Sequence, residues 1–243
     1  MYFKDKAIVL GKKDAGEASN FYIIYTEKKG LLKATARGAK KSLSKMSGHL
    51  EPPCLCEIFF VNGKKVNYIA GASLIHRYEL GTLEKHKVHF DALKVFSSLV
   101  REGDVDFDLW RVVTDFYHYL ENVQEDKLPL LKNIYLWSLG SALGFEMDVE
   151  KCLECKFDLG ENNYLVFSPG GFFCQSCFKK QKEKGVLVSK EFIKILRFIK
   201  RNDIGGLLKL KISDEVSGEF DRLSGQYWSY RFEMELTTGA VPI

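Results

Sequence analysis

Two cysteine pairs constrain this chain more than any other feature. Cys152-Leu-Glu-Cys155 and Cys174-Gln-Ser-Cys177 are C-x2-C motifs with eighteen residues between them. Two residues between cysteines let the backbone turn until both sulfurs face one point, where nearby N–H groups stabilise the thiolates. The doubled spacing predicts one structural zinc ion held by Cys152, Cys155, Cys174 and Cys177. Four thiolates complete its shell and leave no position for water or substrate. A redox pair and two disulfides are the rival chemistries. The opening MYFKDKAIVLGKKDAGE has no long apolar run of a secretory leader, which favours the metal and a cytoplasmic protein. Gly170-Gly171 suits the positive φ of a knuckle, and Tyr164, Phe167, Phe172 and Phe173 can cover the ion. Cys54 and Cys56 lie two apart on a predicted strand and read as small buried hydrophobes.

The sequence on either side differs in texture. Before residue 80, KAIVLGKK, NFYIIYT, LLKATARG, CLCEIFFV and VNYIAGASLI are short β-rich runs separated by turn material. Asn62-Gly63 predicts a tight type I′ hairpin. Five such strands, with one helical turn near Leu43–Gly48, predict a small closed barrel with no free edge. From residue 81 the apolar period becomes three and four. Helices follow at HKVHFDALKVFSSLVREG, DLWRVVTDFYHYLENV and LPLLKNIYLWSLGSALGF, the last with Pro129 in its first turn. After the cysteines, SKEFIKILRFIKRN is capped by Ser189 and SDEVSGEFDRLSGQYWSYRFE makes a final helix. The fold class is α+β: barrel 1–80, helical domain 81–149, zinc module 150–180, and more helix over 181–243. No apolar run reaches membrane-spanning length.

Charge is unevenly spread. Residues 1–80 carry 14 Lys and Arg against 7 acids, residues 81–150 carry 7 against 13, and the whole chain nets only +4. Lys28, Lys29, Lys33, Arg37, Lys40, Lys41 and Lys45 accumulate in a stretch, Lys28 to Leu50, that holds no Asp or Glu. Unpaired cations this dense repel one another, so a polyanion is the economical partner. A second basic face is predicted on a helix, where Lys190, Lys194, Arg197 and Arg201 share one side opposite Phe192, Ile195, Leu196 and Ile199. A plain solvated face is the equal alternative there.

Catalytic signatures are missing: no phosphate-binding glycine loop, no dinucleotide fingerprint and no nucleophile elbow. His86 and His89 lack a third ligand and read as a solvated helical face. Asp104, Asp106 and Asp108 fail as a calcium loop and read as an acidic helix N-terminus. His49, His76 and His118 suggest no chemistry.

Several segments together resemble the bacterial recombination mediator RecO family. They are the Gly16-Glu17 turn, the Thr26-Glu27-x-x-Gly30 hairpin, the basic Ala36-Arg37-Gly38-x-Lys40-Lys41 segment and the apolar-Pro element Leu50–Pro53. The order of barrel, helices, four-cysteine module and helix fits as well. The resemblance implies an OB-fold barrel, a helical domain and a zinc module. It also implies a non-enzymatic protein of DNA repair, cytoplasmic and nucleoid-associated, that binds single- and double-stranded DNA and anneals complementary strands. Its implied partners are RecR, single-strand-binding protein through its C-terminal tail, and RecA indirectly. Tyr22 and Tyr25 are candidates for base stacking, but OB barrels also bury aromatics, and the core is the favoured place for most of them. The tail is expected in an apolar groove near Trp110, Phe116, Leu136 and Trp137. A zinc-containing nucleic-acid enzyme and a protein scaffold with little DNA affinity are the alternatives.

Overall fold

The computed structural model describes residues 2–15, 19–37, 45–63, 66–182 and 184–233, except the side chains of Arg37, Lys45 and Ser47. The chain packs as two compact units, Met1–Asn122 and Val123–Ile243. Their boundary falls inside the stretch 81–149, so its first two helices belong with the strands.

In the first unit, β1 (Tyr2–Asp14), β2 (Ser19–Thr26) and β3 (Gly30–Arg37) are followed by a short helix, α1 (Lys45–His49). Then come β4 (Cys54–Asn62), β5 (Asn67–Arg77), α2 (Leu83–Leu99) and α3 (Phe107–Asn122). The strands close a barrel in the order β1-β2-β3-β5-β4, antiparallel except where β3 meets β5. A helical turn between β3 and β4 and this strand order make an OB-fold. Closure depends on β1, which pairs with β4 over Tyr2–Val9 and with β2 over Ala7–Asp14, bending at a register shift between Val9 and Gly11.

The period of two sorts the side chains. Ala7, Val9, Tyr22, Ile24, Ala34, Cys56, Ile58 and Phe60 fill the interior. So small a barrel needs small partners for its rings, and Tyr22 faces Ala34 across the β2–β3 ladder. Asn62-Gly63 differs from the expected type I′ turn. Gly63 N–H donates to Val66 O at 3.1 Å and Asn62 pairs with Asn67, so Asn62 and Gly63 are not the central pair of the turn; residues 64 and 65 lie outside the described residues. Gly63 is required for space instead: a Cβ there would lie 2.3 Å from Val66 O and 2.8 Å from the Tyr68 ring. His89 also departs from expectation. His86 is exposed, but His89 is buried and its Nδ1 is 2.9 Å from the Tyr117 hydroxyl. Asp106 stands at the start of α3, as the acidic helix N-terminus reading expects, and also caps it, its Oδ1 accepting from Leu109 N–H at 2.8 Å.

The second unit starts with α4 (Leu128–Gly140), which runs into a π-type turn over Ser141–Phe145. Then follow β6 (Asn163–Val166), β7 (Gly171–Cys174), α5 (Gln175–Phe178), β8 (Gly185–Val188), α6 (Lys190–Lys200), α7 (Ile204–Lys209) and α8 (Asp214–Phe232). The three strands form a small antiparallel sheet, order β7-β6-β8, which strand propensity did not announce. Trp137 of α4 stacks on Tyr227 of α8 at 5.2 Å and donates its indole N–H to Ser224 Oγ at 2.8 Å. That bond lets a tryptophan be buried without an orphaned donor. Ser189 caps α6 by accepting from Phe192 N–H at 3.0 Å. Among the described residues, no helix is long and apolar enough to cross a membrane.

Candidate functional site

The four cysteines meet. Cys152 and Cys155 lie on a tight turn in which Cys152 N–H reaches Phe157 O at 2.8 Å, and Lys156 adopts φ 61° to close it. Cys174 ends β7 and Cys177 lies one turn on, within α5. The sheet brings the two turns together: all four sulfurs lie within 4.8 Å of one another, and Cys155 Sγ and Cys174 Sγ are 3.9 Å apart. Burial alone would raise the Cys152 thiol, but N–H groups of Cys174, Cys155 and Glu154 converge on it and hold it down to about 7. Cys177 is pushed up to about 12 by desolvation and by hydrogen bonding to the neighbouring sulfurs. Thiols this close cannot all ionise unaided, and a metal ion is what would stabilise four thiolates together. Gly170 does have positive φ, 94°, yet it serves the β6–β7 turn, while the left-handed residue of the first knuckle is Lys156. Phe172 and Phe173 are buried beside the module, and Tyr164 stacks on Phe178 at 3.9 Å.

Only part of the basic stretch lies among the described residues. Lys28 and Lys29 are exposed on the β2–β3 turn, held by Lys28 N–H to Asp5 Oδ2 and Lys29 N–H to Thr26 Oγ1, both 3.0 Å. Lys33 points outward from β3 and pairs with Glu102 at 2.6 Å. That pair is half exposed at both ends, so it contributes little and leaves Lys33 available to another anion. Arg37 ends β3 opposite Ser19. Eight extended residues separate the turn from Arg37 by roughly 25 Å, so these cations follow a line along the strand. Lys40 and Lys41 lie outside the described residues, and Lys45, whose side chain does too, opens α1. Register adds a cation that the sequence pattern passed over. Lys13 on β1 is opposite Phe21, which is opposite Thr35 between Lys33 and Arg37.

The α6 cations are largely engaged within their own unit. Lys190 pairs with Glu161, Lys194 with Glu191 at 3.4 Å, and Arg197 with Glu150 at 2.9 Å while also donating to Val149 O at 3.1 Å. Arg201 is exposed just past the helix end. Tyr22 and Tyr25 take the core place favoured for them rather than the stacking one, both being fully buried. Trp110, Phe116, Leu136 and Trp137 are buried as well, which corrects the expectation of an open apolar groove beside them. Their apolar faces are already used in packing each unit. One groove among the described residues of the second unit, about 370 Å³, is lined by Ile195, Phe198, Leu207, Leu210, Ile212 and Val216 together with Lys194, Lys211 and Glu191.

Residues 1–78 match the family described as recombination protein O, N terminal, and residues 97–239 the one described as recombination protein O, C terminal. Similar proteins include the DNA repair protein RecO of Dehalococcoides mccartyi strain BAV1, 28% identical over 90% of this chain and 86% of that protein. Another is that of Acetivibrio thermocellus, 23% identical over 97% and 94% of the two chains. That of Clostridium novyi is 25% identical over 95% and 89%.

Proposed function

This chain belongs to the recombination protein O (RecO) family of DNA repair proteins, and we propose that it acts there as a non-enzymatic, nucleoid-associated mediator. It binds single- and double-stranded DNA, anneals complementary strands and, with RecR, helps load RecA onto strands coated by single-strand-binding protein. The observation that carries this reading is the line of cations on the outside of the barrel, where Lys33 and Arg37 flank Thr35 and register places Lys13 alongside. Lysine and arginine strung along a strand can replace counterions along a phosphate backbone, a gain that ignores sequence. Annealing follows from the same charge, because it offsets the repulsion of two polyanions held side by side.

The test is binding and annealing of a fluorescent oligonucleotide, with and without single-strand-binding protein. Replacing Arg37, Lys40 and Lys41 by Ala should weaken binding equally on unrelated sequences. At roughly 0.7 per phosphate on single strands, the slope of log affinity against log salt should flatten by about two units. An unchanged slope in a folded triple variant would move the phosphate contact off this segment, with the α6 face next in line.

Zinc is the ion proposed for the cysteine centre. Four sulfurs bound at about 2.3 Å in a tetrahedron lie about 3.8 Å apart, close to the 3.9 Å between Cys155 and Cys174. A closed thiolate shell makes it a structural ion that ties the two turns together. Elemental analysis should return about one zinc per chain. The α6–α7–α8 groove is the proposed seat for the acidic, apolar tail of single-strand-binding protein, with Lys194 and Lys211 in its lining for the tail's carboxylates. Lys211→Glu should weaken a labelled tail peptide several-fold, and equal binding would exclude the groove.

A further inference from the structure

A second surface of the barrel points to a ligand that the line of cations does not explain. Cross-strand pairing sets three rows of outward residues over β1, β4 and β5. Tyr2, Val61 and Tyr68 form one row, Lys4, Phe59 and Gly71 the next, and Lys6, Glu57 and Ser73 the third. Tyr2 is 80% exposed and Phe59 45%, whereas Tyr22, Tyr25 and Phe60 of the same barrel are buried. Aromatic rings this open cost hydrophobic free energy and need a reason.

The middle row supplies one. Gly71 is directly across from Phe59, and a Cβ there would meet only the Phe59 ring, at 3.9 Å, with otherwise open space. The register shift beside it leaves Ala70 as an extra residue, a bulge of the kind that re-aims neighbouring side chains. The result is a shallow hollow with Phe59 as one wall, Tyr68 on one side and Ser73 on the other. Lys4 lies 5.1 Å from the centre of the Phe59 ring and pairs with Glu57 at 2.6 Å.

Charge identifies the occupant. Lys4 and Lys6 are exposed on β1, and the turn carrying Lys28 and Lys29 adjoins that edge: Glu27 N–H donates to Lys6 O at 2.9 Å and Lys28 N–H to Asp5 Oδ2 at 3.0 Å. Four lysines against Asp5, Glu27 and Glu57 border the rings, and of these acids Asp5 is buried. A protein partner would favour a broad apolar patch with few charges. Isolated rings interleaved with lysines suit unpaired bases on a phosphate chain. We propose that the outer face of β1, β4 and β5 is a stacking platform for single-stranded nucleic acid. Phe59, Tyr2 and Tyr68 meet bases, and Lys4, Lys6, Lys28 and Lys29 meet the backbone. The inference rests on the DNA-binding function proposed above and adds to it a site for bases, separate from the phosphate contacts along β3.

The experiment compares Tyr2→Ala/Phe59→Ala and Gly71→Val with the unmodified full chain. The probes are a labelled oligo-dT strand and a labelled duplex of equal length, titrated at several salt concentrations. Tyr2 and Phe59 are exposed and Gly71 is half-buried, and circular dichroism melts should confirm an intact fold in both variants. Affinity for oligo-dT should fall about thirtyfold or more in the double variant, because each stacked base is worth roughly fivefold or more. Gly71→Val, which fills the hollow and keeps the ring, should lose several-fold. Duplex affinity should stay within about twofold, since paired bases are already stacked, and the salt slope should not change because stacking releases no counterions. Unchanged oligo-dT binding, or equal losses on duplex and single strand, would overturn the platform while leaving DNA binding in place. An unmodified chain that binds neither probe would overturn both proposals.

Discussion

The barrel and the small sheet of the second unit are both antiparallel β-structure, and they are held together by different means. Strands β1 to β5 run 8 to 13 residues and enclose a continuous core from Ala7 to Ile69. Strands β6, β7 and β8 have 4 residues each. Three strands that short bury too little surface to offset the entropy of ordering them. Cysteine shows the difference most clearly. Cys54 and Cys56, on β4, have sulfurs 3.4 Å apart, and the Cys56 thiol donates to His49 O at 2.9 Å, so both act as core residues. Cys152 is buried too, but Cys155, Cys174 and Cys177 are only partly so, and all four sulfurs face one another. One residue type fills space in the barrel, and in the second unit is gathered where a metal ion, as proposed, would make it a tether.

The largest test of this contrast is Cys174→Ser. Because metal binding is part of the folding free energy of a module this small, the variant should lose the ion and the order of residues 150–188. Limited proteolysis should then cut within that span while the barrel resists, and a zinc-replete variant as resistant as the parent would break the comparison. Phe60→Ala should have the converse effect. Its ring is buried and stacked on Phe3 at 4.8 Å. Its loss should cost about 3–5 kcal/mol in urea unfolding, with zinc content unchanged.

The next effect depends on pH and concerns the helices packed behind the barrel strands. Burial, with a smaller contribution from His86, holds His89 down to about 4 from 6.5. Between those values the unfolded chain binds a proton that the folded chain refuses, so stability falls as pH drops through that window. The loss should reach about 2 kcal/mol by pH 5. His89→Gln keeps a polar contact to Tyr117 and should flatten the pH dependence measured from 7.5 to 5. A slope equal to the parent's would assign the acid sensitivity to other groups. The smallest effect is Cys56→Ala, about 1 kcal/mol for a lost sulfur and one weak hydrogen bond. A loss as large as that of Cys174→Ser would mean the two kinds of cysteine are not distinct.

Sequence alone determined what depends on neighbours along the chain. The five barrel strands lie where the β-rich runs between turns put them, α2, α3, α4 and α6 where the apolar period put them, α8 in the last helical stretch, and Ser189 caps the helix it precedes. The cysteine quartet was readable for the same reason, since each knuckle is a local turn. Tertiary structure decided what depends on pairing between distant strands and helices. It turned His89 inward, buried Trp110 and Trp137, and made Gly63 a matter of clearance from Tyr68. It set Lys13 across the sheet from Thr35, alongside Lys33 and Arg37, and placed Phe59 across from Gly71. A single-residue shift in register or a bulge such as that at Ala70 moves every later side chain to the other face, and no local signal records which register closes the barrel.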